Sequence, residues 1–195
     1  MAKGVPDLYD IVFISFEKML ALTDAEKADY IRLSEIHHYK KGRHLVKAGQ
    51  VCSRMYFFIS GAVRGYSVRS HKDYSLWFEF DRCFVTSMAS FVSQTPSHEN
   101  IELLEDSTLI SISHNNLLAI YSTHPRTNVI GRRLVEMAFI ELEERTLAMQ
   151  SLTATDRYEH LLERYPQFSQ RVSLKHIASF LGISQETLSR IRSGK

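Results

Sequence analysis

The sequence contains little cysteine and lacks the common signatures of catalysis. Its two cysteines, Cys52 and Cys83, form no Cys-x-x-Cys pair and no cluster, which argues against an iron–sulfur or structural zinc site. We predict that both are buried free thiols within strands. The chain also contains no P-loop, no Gly-x-Ser-x-Gly motif and no His-Glu-x-x-His motif. We therefore predict no catalytic residue and no metal ligand, and we expect a protein that is not an enzyme.

Long apolar runs are absent as well. No run approaches the roughly 20 residues that cross a membrane, and the N-terminus lacks the basic-then-apolar order of a signal peptide. Apolar residues nevertheless make up 44% of the chain and aromatic residues 11%, which is typical of a sequence that folds around a core. We expect a globular, cytoplasmic protein with no membrane partner.

The C-terminal residues 173–195 contain two short helical patterns that meet at Gly182. A tight turn between two crossed helices needs a left-handed backbone, which costs glycine little. Ser173 and Ser184 precede the two patterns as candidate N-caps. Apolar residues recur at helical spacing on both sides of the glycine. The pattern predicts a helix-turn-helix in which the buried residues are Ile177, Phe180, Leu181, Ile183, Leu188 and Ile191, and Ala178 is small where the two helices must approach each other.

The second helix of this motif presents hydrogen-bonding side chains outward if Leu188 and Ile191 are buried. Arginine can pair with guanine, glutamine with adenine, and glutamate can accept from cytosine, so such a helix can read base edges in the major groove. The predicted base-reading residues are Gln185, Glu186, Ser189 and Arg190. The predicted phosphate contacts are Ser173, Lys175, Ser184, Thr187 and Arg192.

Basic residues are concentrated at the same end of the chain. Residues 171–195 contain five basic residues and one acidic residue, whereas residues 1–125 and residues 126–170 each carry a net charge of −1. The overall net charge of +2 therefore hides a basic C-terminal end, as phosphate binding requires. This asymmetry argues against the alternative of an ordinary helical hairpin with solvated charges.

Between residues 36 and 112 the sequence changes to short runs of aromatic and β-branched residues, separated by glycines and polar turns. Regularly spaced runs of this kind are typical of a small β-barrel or sandwich. The predicted strands include residues 55–59, 62–68, 75–80 and 107–112. The predicted helices include one that starts at a capping box over residues 23–26, and others at residues 115–121, about 126–152 and 157–165.

The pattern Tyr39-Lys-Lys-Gly-x-x-Leu45, then Gly49, then Tyr56-Phe-Phe-Ile-Ser-Gly-Ala-Val63 resembles the β-roll of cyclic-nucleotide-binding domains. Together with the C-terminal helix-turn-helix, it makes residues 20–193 resemble the Crp/Fnr family of bacterial transcription regulators. The resemblance implies an α+β protein with an N-terminal double-stranded β-helix of the jelly-roll type, a long dimerisation helix and a C-terminal helix-turn-helix. The implied domains are a sensor roll with flanking helices at 1–125, a dimerisation helix at 126–152, and a DNA-binding domain without an evident wing at 153–195.

The resemblance also implies an effector pocket, built from a cassette at residues 81–91 and a loop at residues 95–98. Members that bind cyclic AMP hold it with a Gly-Glu pair and an Arg-Ser pair, where this chain has Thr86-Ser87 and Ser97-His98. The missing arginine removes a contact worth on the order of 1.5–3 kcal/mol. Cyclic AMP is therefore not the expected effector, and another small molecule is left open. The implied pocket residues are Thr86, Ser87, Met88, Ala89, Ser97 and His98, with Leu142 and Glu143 on the long helix.

The long helix carries apolar residues on more than one side. Val135, Phe139, Leu142, Thr146 and Met149 follow the alternating four-and-three spacing of a coiled-coil seam. We predict that this seam packs against the same helix of a second copy, with burial inside one chain as the alternative. A dimer would present two recognition helices about one DNA turn, roughly 34 Å, apart.

The sequence therefore predicts a homodimeric transcription regulator that binds a palindromic operator in double-stranded DNA, with an effector that shifts the long helices. RNA polymerase is a further partner that the resemblance implies. One alternative is a ligand sensor that acts through protein contacts and shows no salt-dependent affinity for DNA. Another is a cupin-type metalloenzyme, which would need converging histidines, whereas His44 and His71 are isolated.

Overall fold

The computed structural model describes residues 7–194, and within that range it has the predicted α+β architecture. The described helices are α1 (Leu8–Glu17), α2 (Asp24–Leu33), α3 (Met88–Ser93), α4 (His114–Thr123), α5 (Asn128–Ser151), α6 (Ala154–Arg164), α7 (Phe168–Arg171), α8 (Leu174–Leu181) and α9 (Gln185–Arg192). The described strands are β1 (Ser34–Tyr39), β2 (His44–Val46), β3 (Arg54–Ser60), β4 (Ala62–Arg69), β5 (Lys72–Phe80), β6 (Phe84–Val85), β7 (Asn100–Leu103) and β8 (Ser107–Ser113). No helix in this part of the chain is long and apolar enough to span a membrane.

The strands form two four-stranded antiparallel sheets that enclose one core. The first sheet has the order β1-β8-β3-β6 and the second the order β2-β7-β4-β5. Because neighbouring side chains on a strand point to opposite faces, each sheet sends alternate apolar residues inward. Phe58 and Leu109 of the first sheet and Val63, Ile101 and Leu103 of the second are all at most 1% exposed and belong to a single apolar cluster. This pairing gives the roll that the strand pattern predicts.

Helices α1, α2 and α4 pack against the first sheet. Val12, Phe13 and Phe16 of α1 and Leu117 of α4 are buried in the same cluster as the roll. The predicted capping box is present, because the backbone N–H of Thr23 donates to Glu26 Oε2 at 2.7 Å. These helices therefore extend the roll and do not form a separate core.

A second apolar core joins the C-terminal helices to the outer face of the second sheet. Phe168, Ile177 and Leu188 are completely buried, and they cluster with Phe78 and Phe80 of β5. The Phe168 ring lies edge-on to both of these β5 rings, with centroids 4.9 and 5.7 Å away. The helix-turn-helix thus shares its core with the roll.

Two details of the predicted structure are wrong, whereas the long helix lies where the sequence predicts it. Cys52 and Cys83 are free, as expected, but both lie in loops beside strands, and Cys83 is only half-buried. Helix α6 starts at Ala154, three residues before the predicted start, because Thr153 forms a capping box with Asp156. The long helix α5 agrees with the predicted span of about 126–152, since it covers Asn128–Ser151 and follows a short 3-10 helix over Pro125–Thr127.

Candidate nucleic-acid interface and effector cassette

Helices α8 and α9 are joined by a turn at Gly182, whose φ of +72° is the left-handed value that the sequence predicts. Both predicted N-caps are present. Ser173 Oγ accepts from His176 N at 3.4 Å, and Ser184 Oγ accepts from Thr187 N at 3.1 Å. Ala178, at the predicted point of close approach, is 2% exposed. The local rules of helix capping and turn formation therefore account for this motif.

Helix α9 has one buried side and one open side. Leu188 is completely buried and Ile191 is half-buried against the second core. The opposite side exposes all four side chains that we predict to read bases, namely Gln185, Glu186, Ser189 and Arg190. A hydrogen bond from Ser184 lowers the pKa of Glu186, which keeps this carboxylate an acceptor. The arrangement leaves an exposed, hydrogen-bonding helix face of the kind that can enter a major groove.

Part of the positive charge counted at this end of the sequence is compensated inside the protein. Arg171 lies between Asp81, at 2.6 Å, and Glu105, at 2.7 Å. Lys175 Nζ is 3.5 Å from Asp73 Oδ1. The sequence count therefore overstates the uncompensated positive charge at this end, and the exposed basic residues of α9 are Arg190 and Arg192. Of the other predicted phosphate contacts, Ser173 and Ser184 are exposed and Thr187 is half-buried.

A buried arginine fixes α8 to the roll. The Arg64 guanidinium on β4 donates to Glu102 Oε2 at 3.0 Å and to Asp73 Oδ2 at 2.9 Å, and its Nη1 is 2.7 Å from His176 Nδ1 on α8. Burial and the neighbouring Arg64 both lower the pKa of His176. The neutral imidazole can then accept from the arginine through Nδ1. Arg64 thereby links the sheet to the first helix of the helix-turn-helix.

Two further side chains of the same helix, Ser179 and Phe180, are held by distant parts of the chain. Ser179 Oγ accepts from Ser75 N at 2.9 Å and donates to Asp73 O at 3.1 Å. The Arg145 guanidinium of α5 lies over the Phe180 ring, 4.5 Å from its centroid. Sequence reasoning missed these contacts, because each of them joins positions that are far apart in the chain. Helix α8 is consequently positioned by β5 and by the long helix together.

The predicted seam of α5 is open in this single chain. Phe139 is 66% exposed, Leu142 61%, Val135 46% and Met149 43%. Exposed apolar side chains of this size in one stripe are typical of a surface that packs against another molecule. The N-terminal part of α5 is held by the roll, since Ile130 is 2% exposed.

The predicted effector residues lie in three different environments. Ser87 and Ser97 are both buried, and their hydroxyl oxygens are 2.9 Å apart. Thr86 is half-buried and donates to Arg54 O at 3.1 Å. The remaining predicted residues are exposed, except for the half-buried Met88; the exposed ones are Ala89, His98, Leu142 and Glu143.

Two residues that the sequence did not point to adjoin the serine pair. The Trp77 indole N–H donates to Glu99 Oε2 at 2.7 Å. Burial raises the pKa of Glu99, while hydrogen bonds from Ser87 and Trp77 act in the opposite direction. The sequence signal for this pair is weak, because it consists of one acidic residue two positions after Ser97.

Comparison with known proteins defines the class of the roll. Residues 36–124, which include most of the roll, match the family model of the cyclic nucleotide-binding domain. No curated protein matches the chain significantly in sequence.

Solved structures extend the likeness to almost the whole chain. CLP from Xanthomonas campestris, called a c-di-GMP-responsive global regulator, is 19% identical, with 88% of this chain and 91% of CLP covered and a TM-score of 0.70. A protein from Eubacterium rectale described as a Crp/Fnr-family transcriptional regulator is 18% identical over 94% of this chain and 86% of its own, with a TM-score of 0.74. FixK2 from Bradyrhizobium japonicum is 21% identical over 83% of each chain, with a TM-score of 0.69. The resemblance to Crp/Fnr regulators that the sequence indicates is thus confirmed at the level of the fold.

Proposed function

We propose that the protein is a homodimeric transcription regulator that reads a palindromic site in double-stranded DNA with helix α9. The observation that carries this proposal is the division of α9 into a buried side, anchored by Leu188, and an exposed side with four base-compatible side chains. Arginine and glutamine at such positions pair bidentately with guanine and adenine. The two exposed arginines of α9 supply the charge that attracts phosphates.

The dimer part of the proposal is supported by helix α5. Its seam residues are exposed in the single chain, with Phe139 and Leu142 each more than 60% exposed. A two-fold pairing of α5 would bury both stripes and present two copies of α9 to half-sites about one DNA turn apart. We propose a second copy of the same chain as the partner of this seam.

A small-molecule effector other than cyclic AMP is the proposed input. The domain family of the roll and the name of CLP both support some form of ligand control. A ligand would act by binding one of two arrangements of the long helices more tightly than the other.

Two arginines on α9 provide a matched test. Arg190→Ala is expected to weaken binding to the preferred DNA site by about 1–3 kcal/mol. It should weaken binding to random DNA much less, because the predicted contact is to a specific base. Arg192→Ala is expected to weaken binding to both DNAs equally. It should also reduce the slope of log affinity against log salt concentration by about one, which corresponds to the loss of one phosphate contact. Fluorescence anisotropy at several salt concentrations measures both effects.

The same titrations separate the competing hypotheses. Equal losses on both DNAs for Arg190→Ala would remove this residue from base readout. An absence of any salt-dependent DNA affinity would favour a ligand sensor that acts through protein contacts instead.

A further inference from the structure

The interior of the roll contains an aromatic ring that the function described so far does not use. Trp77 is the only tryptophan of the sequence, and it pairs with Gly65 across β4 and β5. A Cβ atom built on Gly65 would lie 2.1 Å from the indole Cε2 atom, so the ring lies directly on the glycine backbone. Gly65 follows the completely buried Val63 by two residues, on the same face of the strand. The indole therefore packs on the inner side of the second sheet.

This ring delivers its N–H group to the carboxylate of Glu99. The distance from Trp77 Nε1 to Glu99 Oε2 is 2.7 Å, at the short end of the range for an N–H···O bond. The side chain of Ser87 adjoins this carboxylate. Glu99 thus lies at the cassette and is held there from the sheet side.

The backbone of Glu99 is tied to the second serine of the cassette. Ser97 Oγ donates to Glu99 O at 2.8 Å and accepts from Glu99 N at 3.1 Å. Ser97 in turn bonds to the loop around Gly49, because Gly49 N donates to Ser97 O at 2.8 Å. The two serines that align with the phosphate-binding positions are therefore engaged by the chain itself.

We propose that the Glu99 carboxylate is a built-in anion of the cassette, which occupies the place of a cyclic phosphate and excludes cyclic nucleotides from this roll. Two anions a few ångströms apart in a partly buried site repel each other, so a phosphate could enter only after Glu99 has left Trp77 and Ser87. Glu99 is then the residue that determines the specificity of the pocket against anionic effectors. The inference rests on the proposed sensor role of the roll, but its test involves no DNA, so the two can fail separately.

The fluorescence of Trp77 reports directly on this contact, because no other tryptophan contributes. In the wild-type chain, millimolar cyclic AMP, cyclic GMP, c-di-GMP or inorganic phosphate is expected to change neither the Trp77 emission nor the melting temperature. A saturable response of Trp77 to any of these anions would overturn the proposal, and this arm needs no variant.

Removing the carboxylate should create affinity for a small anion. Glu99→Ala leaves the indole N–H of Trp77 without its acceptor, so acetate or phosphate is expected to bind about 10–100-fold more tightly than to the wild type. Binding should restore a wild-type emission spectrum and raise the melting temperature. Glu99→Gln keeps the shape and an acceptor oxygen, so it should fold like the wild type and bind no acetate.

Glu163→Ala is the matched control, because Glu163 is an exposed acid on α6 and its loss changes the net charge equally. It should behave like the wild type toward every anion. The proposal fails if Glu99→Ala binds acetate no better than Glu163→Ala does. It also fails if Glu99→Gln binds acetate as tightly as Glu99→Ala does, because a side chain that fills this position would then not exclude the anion.

Discussion

Replacing Arg64 by alanine is expected to loosen the helix-turn-helix from the roll. The arginine side chain is 6% exposed, whereas its partners Asp73 and Glu102 are 22% and 23% exposed. Its loss would leave two partly buried carboxylates facing each other and would take from His176 its partner at 2.7 Å.

The size of the effect follows from this geometry. Breaking a buried ion pair by removing one partner costs about 3–5 kcal/mol. Because both carboxylates keep some exposure to water, and because Lys175 lies 3.5 Å from Asp73, we expect the low end, about 3 kcal/mol of unfolding free energy. Arg64→Lys keeps the charge but cannot form the three-way fork, so it should lose roughly 1–2 kcal/mol.

Urea denaturation followed by two signals measures this effect. Trp77 emission reports on the roll, and far-ultraviolet circular dichroism reports mostly on the helices. In Arg64→Ala the helical signal should be lost at lower urea than the Trp77 signal, because the second core opens first. Arg32→Ala is the control, since it removes an exposed pair with Asp29 and should cost about 0.5 kcal/mol or less. A loss for Arg64→Ala no larger than that of Arg32→Ala would refute the reasoning.

Three further outcomes are expected. Phe139→Glu should weaken dimerisation in sedimentation experiments by at least about 100-fold, because it puts a charge into an apolar seam. Val92→Glu, equally exposed but on α3, should leave dimerisation unchanged. Burial, with the nearby Glu141, raises the pKa of Glu79 to about 8. The folded state therefore binds the Glu79 proton more tightly than the unfolded state does. The stability that this proton contributes is fully present below about pH 4.5 and is lost as the pH rises through about 8. Glu79→Gln should flatten the pH dependence of unfolding in that window. Leu188→Ala should cost about 2–5 kcal/mol.

Each of these expectations has a result that would contradict it. Dimerisation that survives Phe139→Glu would mean that the α5 seam is not the dimer contact. An unchanged slope of stability against pH in Glu79→Gln would mean that this carboxyl is ionised in the folded protein. A small loss in Leu188→Ala would mean that α9 is not anchored in the second core.

The parts of the structure that follow local rules could be predicted from sequence. The turn at Gly182 needs a left-handed backbone, and Ser173 and Ser184 cap the helices on either side, so the motif is written into a few neighbouring residues. The long helix and its exposed stripe follow from the spacing of residues such as Phe139 in the same way. These features need no knowledge of the rest of the chain.

The parts that depend on distant contacts could not be predicted. Arg64 and His176 meet across 112 positions. Trp77 of β5 reaches Glu99, the residue before β7, across the intervening strand β4. For the same reason, the sequence overestimates the uncompensated positive charge at the C-terminal end, because the acidic partners of Arg171 lie in the roll. The sequence pattern predicts Cys52 and Cys83 in strands because aromatic runs lie beside both residues. The strands of the structure do not extend as far as either cysteine.

Selection of bound sequences from random duplex DNA tests the central claim most directly. A dimer that reads DNA with two copies of α9 should enrich a palindrome whose half-sites are centred about 10 base pairs apart. Enrichment of that palindrome would support the dimer and the recognition helix together. A pool with no enriched sequence after repeated rounds would contradict the proposal that this protein reads DNA.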